Sequence, residues 1–362
     1  MKERIENLKS WYEERERKFS AFFLLFGFVF DSFTLNRIDS LIDNLWLGAN
    51  LLVIGICLIF INRSENIGEE GNWKRFWFFN ILQFSFGALL GASFIFYFRS
   101  AALAVSWPFL LILLVALVGN EIWKKHYERL VLQLSFLYLS LFVFATFLLP
   151  VIIRKMGVLV FLGSGILSLV LFRLFIIILN RFAKEKFKQS WKKIWIAIGA
   201  IFLGMNLLYF TNLIPPIPLS LKDAGIYHNV EKLAGGNYRV LEEEEKGIMR
   251  YFDWRPEVHL IPGNTLFAYS AIFSPADLDT GIVHEWQHYD EAKDEWVTAS
   301  RIPLRLSGGR AEGYRTFSSK TLLPEGKWRV NVTTSRGQVI GRINFEIISA
   351  QNMPIIRAVV KD

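Results

Sequence analysis

Cysteine is almost absent from this chain of 362 residues; Cys57 is the single one. One thiol excludes an intrachain disulfide framework and any metal site built from several cysteines. Charge is also scarce, at 20% Asp, Glu, Lys and Arg, where a soluble domain carries about a quarter. Gly (25) and Pro (11) stay at ordinary numbers, which excludes collagen and disorder of the low-complexity kind. What the chain has in excess is apolar surface: 52% hydrophobic residues, with 33 Phe and 12 Trp, and a mean hydropathy of +0.31. That balance suits a bilayer and its interfaces.

The net charge of +8 is unevenly spread. Residues 1–215 hold 23 Lys/Arg and 14 Asp/Glu, a balance of +9, and residues 216–362 hold 18 and 19, a balance of −1. The basicity therefore belongs to the apolar half, where it orients membrane segments, and does not point to nucleic acid.

A bilayer span needs about 20 mostly apolar residues. Seven stretches qualify: 19–35, 45–61, 76–98, 101–119, 130–149, 157–179 and 194–213. With the N-terminus in the cytoplasm, the inner segments carry 18 Lys/Arg and the outer loops four, namely Arg37, Arg99, Arg154 and Lys155. This bias predicts seven spans and a C-terminal domain outside. Trp73, Trp77, Trp123, Trp191 and Trp195 fall at inner span ends, as an interfacial belt requires. Residues 1–18 read as a charged amphipathic lead-in lying along the inner leaflet.

Polar residues within the spans are few. Asp31, Arg37 and Asp39 cluster at the first outer loop, with Asp43 close by. Arg173 is near enough to the inner end of its span to snorkel. Asn80, Gln83, Gln133 and Asn206 are suited to helix packing, and Gly87-x-x-x-Gly91 to close helix approach. Neither paired mid-membrane charges nor two matching broken helices, the marks of a transporter, are present in the sequence.

Pro215-Pro216-Ile217-Pro218 ends the last span. Residues 215–236 read as a linker, with 219–235 short and helical or irregular. From Asn237 the pattern turns to period two. Strands are predicted at 238–241, 247–252, 265–273, 282–289, 296–306, 314–322, 327–333 and 338–348. Residues 237–350 then form an all-β sandwich or open barrel, and 351–362 a tail in which Val359-Val360 can add an edge. The fold class is thus an α-helical polytopic membrane domain (19–214) followed by a sandwich-like extracytoplasmic β domain.

His284-x-Trp286, Leu304-x-Leu306, Gly309-Arg310, Tyr314-Arg315-Thr316-Phe317-Ser318-Ser319-Lys320 and Gly326-x-Trp328-x-Val330-x-Val332 with Gly337 resemble the signature of a bacterial domain of unknown function, family 2914 (DUF2914). The stretches Gly27–Leu35 and Arg37-Ile38-Asp39 resemble membrane segments that accompany that domain. The chain departs from the family at Glu285, where a basic residue is more usual. The resemblance implies a membrane-attached extracytoplasmic module and supplies no activity. His284, Trp286, Tyr314, Arg315, Ser318, Ser319, Lys320 and Trp328 form its candidate binding or structural cluster.

His284-Glu285-x-x-His288 also matches a zinc-protease motif. On a helix both imidazoles reach one Zn²⁺, with Glu285 as base. On a strand the two residues lie about 13 Å apart and cannot chelate one ion. Val283, Trp286 and Tyr289 keep a helix-compatible spacing. Ile282-Val283 after Gly281, and the charged connection Asp290–Asp294, favour a strand. On the strand reading His284 and Trp286 pack on one face, and an exposed Glu285 can be neutralised at little cost. Ser319-Lys320 does not make a Ser–Lys catalytic pair, because a strand sends the two to opposite faces. Trp254, Trp286, Trp296 and Trp328 suit a sandwich core or, alternatively, stacking on sugars. The acids 242–245 suit a solvated edge or turn, or alternatively a weak Ca²⁺ or basic-partner contact.

The functional expectation is a non-enzymatic inner-membrane protein without a cofactor. Its periplasmic β domain binds a protein or an envelope glycan, and its other partner is the lipid bilayer. The alternatives are a membrane-bound zinc metallohydrolase using His284, His288 and Glu285, or a transporter or sensor regulated by the β domain.

Overall fold

The computed structural model describes residues 40–66, 73–100, 102–122, 130–244, 255–274, 281–305 and 314–361. The chain divides into a helical unit and a β unit. The expected span 19–35, the lead-in helix, the strand at 247–252, and the residues Asp31, Arg37, Asp39, Trp254, Gly309 and Arg310 lie outside the described residues.

The helical unit contains α1 (Leu41–Asn66), α2 (Trp73–Ser100), α3 (Leu103–Ile122), α4 (Leu130–Ile153), α5 (Val158–Phe182) and α6 (Lys184–Phe210). Five of these six described helices are long and apolar enough to cross a membrane. In α3 the apolar segment Val105–Gly119 is shorter. At helical rise it spans about 22 Å, less than the hydrocarbon core of about 30 Å. Of the seven expected spans, 19–35 lies outside the described residues, and five of the other six fall on helices long and apolar enough to cross. Several apolar helices are what a membrane protein requires.

Local chemistry explains the helix starts and contacts. Ser40 caps α1, its Oγ accepting the Asp43 N–H at 3.3 Å. Helix α4 is apolar on all sides and buried along most of its length, and packs against α1, α5 and α6. Phe161 stacks on Tyr209 at 3.8 Å, and Tyr138 meets Phe172 edge-on at 5.3 Å. The Asn62 amide donates to Gln133 Oε1 at 3.0 Å in the bundle interior. Gln133 thus does the helix-joining work expected of it. Asn206 instead donates back to its own helix at Phe202 O.

The β unit contains β1 (Ser220–Tyr227), β2 (Asn229–Lys232), β3 (Tyr238–Glu243), β4 (Glu257–Leu260), β5 (Leu266–Phe273), β6 (Gly281–Asp290), β7 (Glu295–Arg305), β8 (Tyr314–Lys320), β9 (Gly326–Thr334), β10 (Val339–Ser349) and β11 (Ile356–Lys361). They form three sheets, ordered β1-β5-β8, β4-β10-β9-β6-β7 and β11-β3-β2. The β4–β10 pair is parallel, and the other described pairs are antiparallel.

The β1-β5-β8 sheet is covered on both faces. Leu266, Ala268 and Ile272 of β5 join cores with Trp286, Trp328, Val330 and Phe345 or with Ile282 and Val332 of the five-stranded sheet. Tyr269 and Ala271, pointing the other way, pack with Tyr227, Tyr238 and Val240. A strand buried on both faces has no polar side to display. This is why Leu266–Phe273 reads as an almost unbroken apolar run.

Two boundaries change. Residues 219–235, expected as helical or irregular linker, supply β1 and β2, because β1 pairs along β5 from Ser220 to Tyr227. The expected tail supplies β11, which pairs with β3 from Lys361↔Tyr238 to Ile356↔Glu243. The β-rich region expected as a sandwich or open barrel is built from three sheets.

Candidate functional site

Strand β6 settles the helix-or-strand question, for residues 281–290 are extended and pair with both β7 and β9. Even-numbered side chains from Ile282 to Trp286 enter the core, and odd-numbered ones face outward. His284 and Trp286 have no exposed surface. His284 Nε2 lies 2.9 Å from Ser270 Oγ on β5, and Nδ1 lies 2.9 Å from Ser318 Oγ on β8. Trp286 Nε1 donates to the same Ser318 oxygen at 3.0 Å. Four side chains thus join two facing sheets through one polar chain inside an apolar core.

The protons of this chain balance without a charge. A neutral imidazole has one donor and one acceptor, and each serine can supply the complementary role. Burial pushes the His284 pKa down to about 4, because a charged imidazole loses its water there. The group is neutral near pH 7 and has no solvent path to a substrate. His288 points elsewhere: its Nε2 pairs with Glu325 O at 3.2 Å and its ring lies 4.8 Å from that of Trp328. The two histidines of the H-E-x-x-H motif do not meet. No cluster of three His, Cys, Asp or Glu able to hold a metal occurs among the described residues.

The remaining members of the signature have separate tasks. Trp328 is 1% exposed, and its Nε1 donates to Pro324 O at 2.9 Å. Tyr314 packs beside the Leu219–Val332 core. Arg315 is buried on the opposite face of β8 and donates to Gly236 O at 3.3 Å. Ser319 is exposed and Lys320 half-buried. The predicted cluster is therefore divided between core and surface, and His284, Trp286 and Ser318 share one hydrogen-bonded chain. Arg173 is exposed on its helix, away from the bundle interior.

The outward face of the five-stranded sheet carries a second polar network. One row runs Arg301, Glu285, Asn331, Arg342 and the next runs Thr298, Gln287, Arg329, Asn344, on β7, β6, β9 and β10 respectively. Glu285 Oε1 accepts from Arg301 Nη2 at 2.8 Å and from Thr298 Oγ1 at 3.0 Å. Desolvation works to raise the Glu285 pKa, but these donors, with Asn331, hold it below the usual carboxylate range. Arg329 Nε donates to Gln287 Oε1 at 2.6 Å, and Arg342 Nε to Asn331 Oδ1 at 2.7 Å. The Arg329 guanidinium lies 4.2 Å from the centre of the Trp296 ring.

A third cluster joins β3 to β4. Glu243 accepts from the His259 N–H at 2.6 Å, and its two oxygens lie 2.8 Å from His228 Nε2 and from His259 Nδ1. Glu242 is taken by Arg357 at 2.8 Å from its Nε. These two of the four consecutive acids serve the fold instead of a solvated turn. The sequence reading missed Ser270, Gln287, Arg329, Asn331 and Arg342. Ser270 had a usable signal: a serine hydroxyl in an apolar strand must find a buried partner.

Residues 279–347 match the family model described as "Protein of unknown function (DUF2914)". No curated protein matches the chain. An immunoglobulin-like protein from Pseudomonas aeruginosa is 11% identical over 36% of this chain and 96% of its own, at a TM-score of 0.21. A β-glucosidase from Listeria innocua, solved with gluconolactone, is 15% identical over 31% of this chain and 16% of its own, at 0.19. An alkylpurine DNA glycosylase from Pseudomonas fluorescens is 7% identical over 86% of this chain and 99% of its own, at 0.21. Scores this low tie the chain to none of those functions.

Proposed function

We propose that this chain is a multi-pass protein of the bacterial inner membrane whose β unit is extracytoplasmic and binds a protein or an envelope glycan without catalysing a reaction. The observation that carries the reading is the state of His284. The one imidazole of the family signature has both nitrogens paired inside the core and no exposed surface. A general base or metal ligand needs access to its substrate or ion. The polar groups that do reach the surface instead form a broad sheet face, which suits recognition. Orientation rests on the Lys/Arg count of 18 against four.

Cysteine labelling in intact cells tests the placement, in a Cys57→Ser background. A membrane-impermeant maleimide is expected to label Lys293→Cys and spare Lys184→Cys; the reverse pattern overturns it. Photocrosslinkers at exposed Val297 and Thr298 test the binding role. Crosslinks to a defined envelope component are expected there, and their absence at both positions counts against a binding module.

A further inference from the structure

We infer that Arg329 and Arg342, on the outward face of the five-stranded sheet, form a binding site for an oxyanion such as a phosphate or carboxylate group. The inference rests on the binding-module reading and gives that module a ligand chemistry. Arg329 stands opposite Asn344 on β10 and Arg342 opposite Asn331 on β9, so the two arginines are diagonal neighbours on one face. Such neighbours lie about 7–8 Å apart at their bases, a span over which two guanidinium groups can converge on one anion.

Their immediate partners are neutral. Each Nε is held by an amide oxygen, from Gln287 and Asn331, and these two amides are joined, Asn331 Nδ2 donating to Gln287 Oε1 at 3.1 Å. Among the described residues neither arginine makes an ion pair. The nearby carboxylate, Glu285, is already taken by Arg301. Of the four charged groups in these two rows, three are arginines and one is Glu285.

Two half-buried cations side by side oppose folding unless something offsets their repulsion. Burial draws both pKa values down, Arg329 to about 10 with Arg342 adding its repulsion. The amides orient the Nε ends and leave the Nη groups as a fork of donors, the geometry that grips phosphate and carboxylate. Trp296 under Arg329 fixes that side chain further.

The test uses the full chain in a neutral detergent, titrated with inorganic phosphate against chloride at equal ionic strength, with thermal unfolding and calorimetry as readouts. A saturable rise in Tm with phosphate is expected. Arg342→Gln and Arg329→Gln each weaken binding at least tenfold, and Arg239→Gln, on another sheet, leaves it unchanged. Glu285→Gln removes the competing negative charge and is expected to tighten binding, a sign that a merely structural arginine pair would not give. Phosphatidylglycerol against phosphatidylcholine vesicles then distinguishes a lipid phosphate from a free one. No saturable difference from chloride, or equal binding by both arginine variants and the parent chain, overturns the site. Persistence of the Val297 crosslinks in those variants would show that the module stands while this site does not.

Discussion

His284 Nδ1 on β6 and Ser318 Oγ on β8 lie 2.9 Å apart although 34 residues separate them in the chain. The two strands belong to different sheets, so this contact and its twin at Ser270 hold the layers in register. A buried polar chain that is fully paired defines one arrangement of the core, because every shifted alternative leaves a donor or acceptor without a partner. That role accounts for three members of the signature, His284, Trp286 and Ser318. His284 and Trp286 share a strand face, and Ser318 receives both.

Acid is expected to loosen this lock. The folded-state pKa of His284 is lowered from 6.5 to about 4. Above pH 6.5 both folded and unfolded chains hold the ring neutral, and the contribution is fully present. As pH falls from 6.5 toward 4 the unfolded chain takes up a proton that the core refuses, and stability declines. The whole shift corresponds to roughly 3 kcal/mol. Hydrogen exchange of β6 peptides between pH 7 and pH 4 measures it. A His284→Gln chain, less stable throughout, is expected to show a flatter profile over this window.

Removing the shared acceptor tests the network from its centre. Ser318→Ala leaves the Trp286 N–H and one His284 nitrogen without partners in a dry core. Each orphaned group costs about 1–3 kcal/mol. Trp286→Ala costs about 3–5 kcal/mol through the lost volume. Thermal unfolding of the full chain should lower Tm for both. The pair of substitutions together should be less damaging than their sum, since they share one hydrogen bond. A Ser318→Ala chain with unchanged Tm would remove the lock from the account.

The strands around this lock were legible where one face is apolar. Trp328-x-Val330-x-Val332 is β9 almost to the residue, and Ile282–Tyr289 falls within β6. Strand β1 was hidden because Lys222, Asp223 and Gly225 interrupt any alternation, and a bulge near Asp223 shifts its register. Strand β4 is four residues long and earns its place by parallel pairing with β10, about 90 residues away, which no local pattern can announce. The site was legible only in part for the same reason. His284 and Trp286 are neighbours in sequence, while Ser270 and Arg342 come to their partners through the sheet order.

Glu285 was expected to face away from the core and, if exposed, to be replaceable at little cost. Its carboxylate is instead enclosed by Arg301, Thr298 and Asn331. Because its folded pKa is depressed, its contribution exists above the unfolded value and is lost as pH falls through the folded one. Glu285→Gln keeps the acceptor oxygen and loses the charge. A loss of about 1 kcal/mol is expected, larger at pH 7 than at pH 3. Chemical denaturation of the full chain at both pH values checks the difference.

Gly341 marks a close approach between two sheets. A Cβ at this position on β10 would overlap the Leu221 side chain on β1, with Leu221 Cβ and Cγ both 3.1 Å away. Gly341→Ala is therefore expected to destabilise by about 1–3 kcal/mol. Trimming the neighbour should restore room, so Gly341→Ala with Leu221→Ala should be more stable than additivity allows. Additive losses would indicate that backbone conformation and not contact makes glycine necessary.

Glu243 supplies the last prediction, because it ties two sheets through two imidazoles. Desolvation works to raise its pKa, and donors from His228 and His259 outweigh that and lower it. The sign follows: a depressed folded pKa stabilises the fold above the unfolded carboxylate range and loses that stabilisation as pH falls through the folded value. Glu243→Gln loses the charge and places an N–H where one oxygen accepted, so the imidazole facing it must switch tautomer or lose its partner. A loss of about 1–3 kcal/mol at pH 7 is expected. It should concentrate in β3 and β4, whose amides would exchange faster while those of β6 and β9 stay protected. Uniform acceleration across all strands would mean that Glu243 supports the whole β unit and not the joint between two of its sheets. Unchanged exchange would mean that the two histidines hold their places without it.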